Sequence, residues 1–125
     1  MIYLDTHVVV WLYAGLLERL STKAVELIEN NALYISPMVM LELQYLKEIE
    51  RINAEPALMC ENLAGSIDLQ ICSKPLLQII TEAMTITWTR DPFDRIIIAN
   101  ASAGNGKLLT KDETILRNSS NAVWD

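Results

Sequence analysis

Histidine occurs once in this chain of 125 residues, cysteine twice, and glycine and proline four times each. With His7 as the only imidazole, a metal centre built from several histidines is excluded, and a Ser-His-Asp arrangement has little to draw on. Cys60 and Cys72 both sit in apolar stretches. They read as buried thiols rather than as a disulfide framework, which fits a reducing compartment. A chain of this length can form one compact core without cross-links, but not two separate ones. No apolar run approaches the ~20 residues that span a bilayer. The opening Met1-Ile2-Tyr3-Leu4-Asp5 lacks the basic region and cleavage site of a secretory signal. These absences predict a single-domain, soluble, cytoplasmic protein over residues 1–125 that has no membrane partner.

An excess of positive charge is missing too. The net charge is −6, which argues against a protein that coats nucleic acid electrostatically. It does not exclude an enzyme acting on nucleic acid, because a bound dication reverses the local field. The acidic excess is also uneven. From Trp88 onward, Arg90, Arg95, Lys107, Lys111 and Arg117 match Asp91, Asp94, Asp112, Glu113 and Asp125 one for one, so the surplus lies earlier in the chain.

What is present is an alternation of short β-prone runs with helical patterns and no repeat or linker between them. Ile2-Tyr3-Leu4, Leu33-Tyr34-Ile35 and Lys107 to Thr110 read as strands. Asp68 to Ile71 reads as an edge strand and Asn121 to Trp124 as a last one. His7 to Ala14 reads as helix broken by Gly15, and Ser21-Thr22-Lys23 opens a second. Ser36-Pro37 and Asp91-Pro92 are cap-plus-proline signals. They start helices predicted to run through Ile52 and to Gly104. Further helices are expected from Glu55 to Ser66, from Lys74 to Met84, and briefly after Asp112. This order predicts an α/β fold with a mostly parallel sheet and helices on both faces.

In open α/β sheets, ligands bind beyond the carboxyl ends of the strands. Asp5 follows the first strand, and Asp112 lies just past Leu108-Leu109-Thr110. Asp94 falls in the first turn of the helix begun by Pro92. Glu42 lies about a turn and a half into the helix after Ser36, near the same edge at ~1.5 Å per residue. Four converging carboxylates repel one another and call for raised pKa values or a hard dication. Oxygen-only ligands favour Mg²⁺ or Mn²⁺ over zinc, and such a site can drive displacement at phosphorus.

Each acid also has a plain structural reading. Asp91 to Asp94 nearly forms a capping box, and Asp5 and Asp112 can each be an N-cap. Glu42, among Met38, Val39, Leu41 and Leu43, is buried enough to need a partner. Thr6, Ser36 and Thr110 can orient carboxylates or serve as caps. His7, Trp11, Tyr13 and Tyr45 read as packing or subunit contacts. Gly104-Asn105-Gly106 reads as a turn and lacks a phosphate-loop pattern.

Taken together, these residues carry a family resemblance. The motifs are Ile2-Tyr3-Leu4-Asp5-Thr6, Ile35-Ser36-Pro37 with Leu41-Glu42-Leu43, Arg90-Asp91-Pro92-Phe93-Asp94-Arg95 leading to Ile98-Ala99, and Leu109-Thr110-Lys111-Asp112. With them, nearly the whole chain resembles a PIN domain of the VapC toxin type. The resemblance implies a three-layer α/β/α fold with four to five central strands. It implies a Mg²⁺- or Mn²⁺-dependent endoribonuclease whose metal and catalytic residues are Asp5, Glu42, Asp94 and Asp112. It also implies a homodimer and a cognate antitoxin over the active-site groove. Asn100 departs from the family's more usual glutamine. Among the basic residues, Arg90, Arg95 and Lys111 are candidates to contact RNA. Alternative readings are a phospho-accepting signalling domain, a degenerate PIN-like binding module without catalysis, and a nuclease acting on DNA.

Overall fold

The computed structural model describes residues 1–125. Five strands form one sheet: β1 (Ile2–Leu4), β2 (Leu33–Ile35), β3 (Gln70–Ile71), β4 (Lys107–Leu109) and β5 (Ala122–Val123). Their spatial order is β3-β2-β1-β4-β5 and every pairing is parallel. The central strands β2, β1 and β4 hold, short as they are, because both of their faces are covered. Ile2, Leu4, Leu33, Ile35, Leu108 and Leu109 are all buried, the near-continuous apolar character of parallel strands between helical layers.

Seven helices supply those layers: α1 (Thr6–Ala14), α2 (Thr22–Asn30), α3 (Pro37–Glu48), α4 (Pro56–Ile67), α5 (Leu76–Ala83), α6 (Pro92–Ala103) and α7 (Glu113–Asn118). A 3-10 turn, Leu17–Arg19, sits between α1 and α2. The strand order reverses between β1 and β4, where the chain moves outward first to one side and then to the other. This switch point opens a crevice beyond the carboxyl ends of those two strands.

The capping signals work as expected. Ser21, Ser36, Asp91 and Asp112 each accept a backbone N–H in the first turn of the following helix. Gly15 ends α1 in the left-handed region at φ 73°. The helix predicted through Ile52 stops instead at Glu48. The N–H of Glu50 bonds to the Lys47 carbonyl at 3.0 Å and that of Arg51 to the Leu46 carbonyl at 2.8 Å. This is a Schellman closure whose left-handed residue is Glu50, at φ 60°. A glutamate carries no signal for that conformation, so the sequence pattern ran on past the true end.

Cys60 and Cys72 are buried free thiols, and the Tyr3 hydroxyl donates to Cys72 Sγ at 3.6 Å. Tyr3 also stacks on Tyr34 with ring centroids 5.5 Å apart. The turn after α6 passes directly over this ring. A Cβ added at Gly106 would lie 2.8 Å from Tyr3 Cδ1 and 3.2 Å from the Met1 carbonyl oxygen. A ring held by stacking and a hydrogen bond cannot move aside cheaply. Gly106→Ala should therefore destabilise the protein by about 1–3 kcal/mol, the usual cost of overpacking. Urea denaturation checks this, and an unchanged midpoint would show that the turn has slack.

Candidate active site

The crevice at the switch point is an open cleft of about 570 Å³. Its walls bring together all four acids singled out in the sequence, Asp5, Glu42, Asp94 and Asp112, and add Asp91. The capping readings also hold, so the two accounts of these acids are both true. Asp5 caps α1, Asp91 caps α6 and Asp112 caps α7. α1 follows β1 and α7 follows β4, so Asp5 and Asp112 are delivered to the sheet's carboxyl edge. α6 follows α5, and Asp91 reaches the same cleft from there.

Asp5 is 5% exposed. Its Oδ1 accepts the Thr6 N–H at 2.8 Å and its Oδ2 accepts the Thr110 hydroxyl at 2.7 Å. The Thr110 oxygen in turn accepts the Asp112 N–H at 3.1 Å, so one threonine links both acids. Glu42 finds its partner in the buried Thr6, whose hydroxyl donates to Oε1. Thr6 and Thr110 thus orient carboxylates, whereas Ser36 does not. Ser36 caps α3 through the Met38 N–H and donates to Asn100 Oδ1 at 2.5 Å. That bond ties α3 to α6, which carry Glu42 and Asp94.

Burial and mutual repulsion raise two of these carboxyls, Asp94 and Glu42. Burial comes first in pushing the Asp94 carboxyl up to about 7, followed by the charges of Asp91, Asp5, Asp112 and Glu42. Glu42 is also raised, by burial and by Asp5 and Asp91, against the lowering effect of its Thr6 hydrogen bond. No three of the acidic, histidine or cysteine side chains close into a ready-made ligand shell. The donor set is nonetheless oxygen-only. His7 Nε2 accepts the Lys111 N–H at 2.8 Å, and Nδ1 faces Asp5 Oδ2 at 3.8 Å, so neither nitrogen is a free ligand. Hard oxygen donors around a repelling cluster fit Mg²⁺ or Mn²⁺, which bind few carboxylates and keep several waters.

The basic residues are arranged differently from expectation. The Arg95 guanidinium is committed to the Ala83 carbonyl at 3.3 and 3.4 Å, and Arg90 does not line the cleft. Arg19 and Arg51 line it instead. Arg51 arrives through the Schellman turn and Arg19 through the 3-10 turn, neither of which has a sequence signature. His7 and Trp11, read as packing residues, stand on the cleft wall as well.

With the geometry established, comparison with known proteins is decisive for the family. The PIN domain model matches residues 2–120. The chain belongs to the PIN domain family. It is 30% identical over 116 residues to ribonuclease VapC22 of Mycobacterium tuberculosis, covering 91% of this chain and 88% of that protein. Its fold is similar to two solved structures. One is VapBC2 of Rickettsia felis bound to a promoter DNA fragment, with TM-score 0.63, 21% identity and both chains fully covered. The other is a toxin–antitoxin complex from Klebsiella pneumoniae, with TM-score 0.66, 16% identity and 98% and 96% covered.

A carboxyl raised from 3.8 to about 7 on folding binds its proton more tightly in the native state. In chelator, the protein should therefore be most stable below about pH 4 with respect to this group, and lose that contribution as pH rises through 7. Asp94→Asn should flatten the dependence, measured as the thermal midpoint across pH. A parallel slope in the variant would show that Asp94 is not the repelled group.

Proposed function

We propose that this chain, acting as one PIN domain over residues 1–125, is a divalent-metal-dependent endoribonuclease and the toxin of a type II toxin–antitoxin pair. The observation that carries this reading is the gathering of Asp5, Glu42, Asp94 and Asp112 at the switch point, with Asp94 driven up to about 7 by burial and neighbouring charge. A cluster that resists full ionisation alone is suited to a Mg²⁺ or Mn²⁺ ion. Bound there, the ion supplies a lowered pKa for an attacking water and charge to offset that building on the phosphate.

The chain's own residues set the geometry. Thr110 holds Asp5 and Thr6 holds Glu42 in one orientation each, while Asp94 comes in on the first turn of α6. Asp5, Glu42 and Asp94 are assigned as the main ligands, with Asp112 completing the site from the exposed side. The likeness to a VapC ribonuclease supports RNA as substrate. The toxin–antitoxin complexes of the same fold support a cognate antitoxin as partner. An acidic cleft has a physical basis for that partner too, since a basic side chain can take the place of the ion's charge. No helix is long and apolar enough to cross a membrane; the cytoplasm is the proposed place of action, where an RNA target and a cognate antitoxin would be met.

The chain is further assigned as a homodimer. Leu41 on α3 and Leu76 on α5 line one apolar groove with Ile79 and Ile96. Leu76 and Leu77 are 68% and 79% exposed, an unusual display for leucines on one short helix. Leu77→Glu should convert a dimer to a monomer in sedimentation with the fold intact. Monomeric wild-type protein would overturn the assignment.

The function itself is tested by incubating purified protein with total RNA, with Mg²⁺, with Mn²⁺ and with chelator. Asp5→Asn and Asp94→Asn should each lower cleavage by at least about a hundredfold, on the scale at which electrostatic catalytic groups contribute, while circular dichroism stays unchanged. Full activity in both variants would sink the proposed site.

A further inference from the structure

Trp11 stands at a border. It lies one turn beyond His7 on α1 and lines the acidic cleft. It also lines a shallower recess with His7, Lys111, Asp112 and Glu113. Two cations rest on its ring: the Arg19 guanidinium carbon is 5.8 Å and Lys111 Nζ 5.9 Å from the centroid. Neither makes an ion pair, although acids line the same cleft; the ionic contacts present are His7 with Asp5 and Lys47 with Glu55.

The ring is also held in place. His7 tilts against it at 5.0 Å, and Trp124 meets it edge-on at 6.0 Å. Trp124 is buried, and its carbonyl accepts the Ser21 hydroxyl at 2.5 Å. The Lys111 N–H bond to His7 Nε2 then fixes this platform to the loop that carries Asp112. An oriented, half-exposed indole with unpaired cations on its ring has the components that bind unpaired nucleotides: a π-face for the base and positive charge for its phosphates.

We propose that Trp11, Arg19 and Lys111 form a subsite for one unpaired nucleotide beside the scissile bond: its base takes the place of a cation on the Trp11 ring, and the displaced cations turn to its phosphates. The subsite rests on the ribonuclease reading and names the residues that would take an unpaired nucleotide. A base paired within an A-form duplex cannot turn its face to the indole. Trp11 and the two cations are positioning residues, since the chemistry at the scissile phosphate belongs to the carboxylate cluster and the ion it would hold.

The test measures binding of a short fluorescein-labelled, mixed-sequence, single-stranded oligoribonucleotide to the Asp5→Asn protein in Mg²⁺. Trp11→Leu in that background should weaken binding about 5- to 150-fold, the range for loss of one stacked base, and Trp11→Phe should weaken it less. Arg19→Gln, on an exposed turn, should reduce the slope of log affinity against log salt by about 0.7, whereas Trp11→Leu should leave that slope alone. Hybridising the probe to its complement should abolish the Trp11 effect. Equal binding by Trp11→Leu, Trp11→Phe and the parent, or equal losses on single strand and duplex, would overturn the subsite.

Cleavage measured in parallel, with Asp5 restored, separates this proposal from the one it rests on. Cleavage with KM unaffected by Trp11→Leu overturns the subsite and leaves the nuclease standing. Trp11-dependent binding without any cleavage keeps the subsite and defeats the nuclease.

Discussion

The structure turns on the Asp5 carboxylate. One oxygen starts α1 by accepting the Thr6 N–H, and the other accepts the Thr110 hydroxyl beyond β4. The Asp5 N–H meanwhile donates to the Leu109 carbonyl at 3.1 Å. One buried residue therefore joins β1, α1 and the end of β4 at the point where the strand order reverses. If it is displaced, the first helix loses its cap, and Thr110 loses its acceptor while still holding Asp112. The geometry of the cleft is thus inseparable from the closure of the sheet's centre.

This economy explains how so many acids can be gathered at all. Asp5, Asp91 and Asp112 cap helices, and Asp94 lies in a first turn, so each sits at the positive end of a helix dipole. Backbone N–H groups bind the Asp5, Asp91 and Asp112 carboxylates before any ligand arrives, and none reaches that of Asp94. The compensation is incomplete, as the raised Asp94 and Glu42 carboxyls demonstrate. What the backbone leaves uncompensated is the physical argument for a cation, and in its absence for a basic side chain from a partner.

The legible and illegible parts of the sequence divide along the same physical line. Strands buried on both faces were visible as apolar runs. Helix starts were visible because Ser36-Pro37 and Asp91-Pro92 are local chemistry. Glu42 and Asp94 were placed by their distance to those starts, and Asp5 and Asp112 by the strand ends they follow. The end of α3 was hidden because Glu50 adopts a left-handed conformation for which only glycine or asparagine gives warning. That one turn moved Arg51 to the cleft. Arg19 was hidden for a related reason, since it is carried by a 3-10 turn of three residues. Trp11 was legible only in part. It packs against the core as its apolar helix suggests, and only the fold shows that it also lines the cleft. Local signals thus identified the residues at element boundaries, while those brought in by irregular turns needed the tertiary structure.

The distribution of charge fits this arrangement. A net charge of −6 disfavours encounter with a polyanion at a distance. At physiological ionic strength, however, exposed charges are largely screened beyond ~8 Å, so the overall balance matters less than what lies within contact range. Near the acids, that range holds Arg19 and Arg51 on the cleft wall and Lys111 beside Trp11. An acidic protein with a basic rim gains little from long-range steering and depends on short-range fit, where stacking and shape discriminate better than charge. It is therefore unsuited to coating nucleic acid indiscriminately, and the proposed substrate would be held by local fit. The acidic balance of the whole chain is thus no obstacle to the proposed nucleic-acid substrate, because the basic side chains that matter are gathered at the cleft.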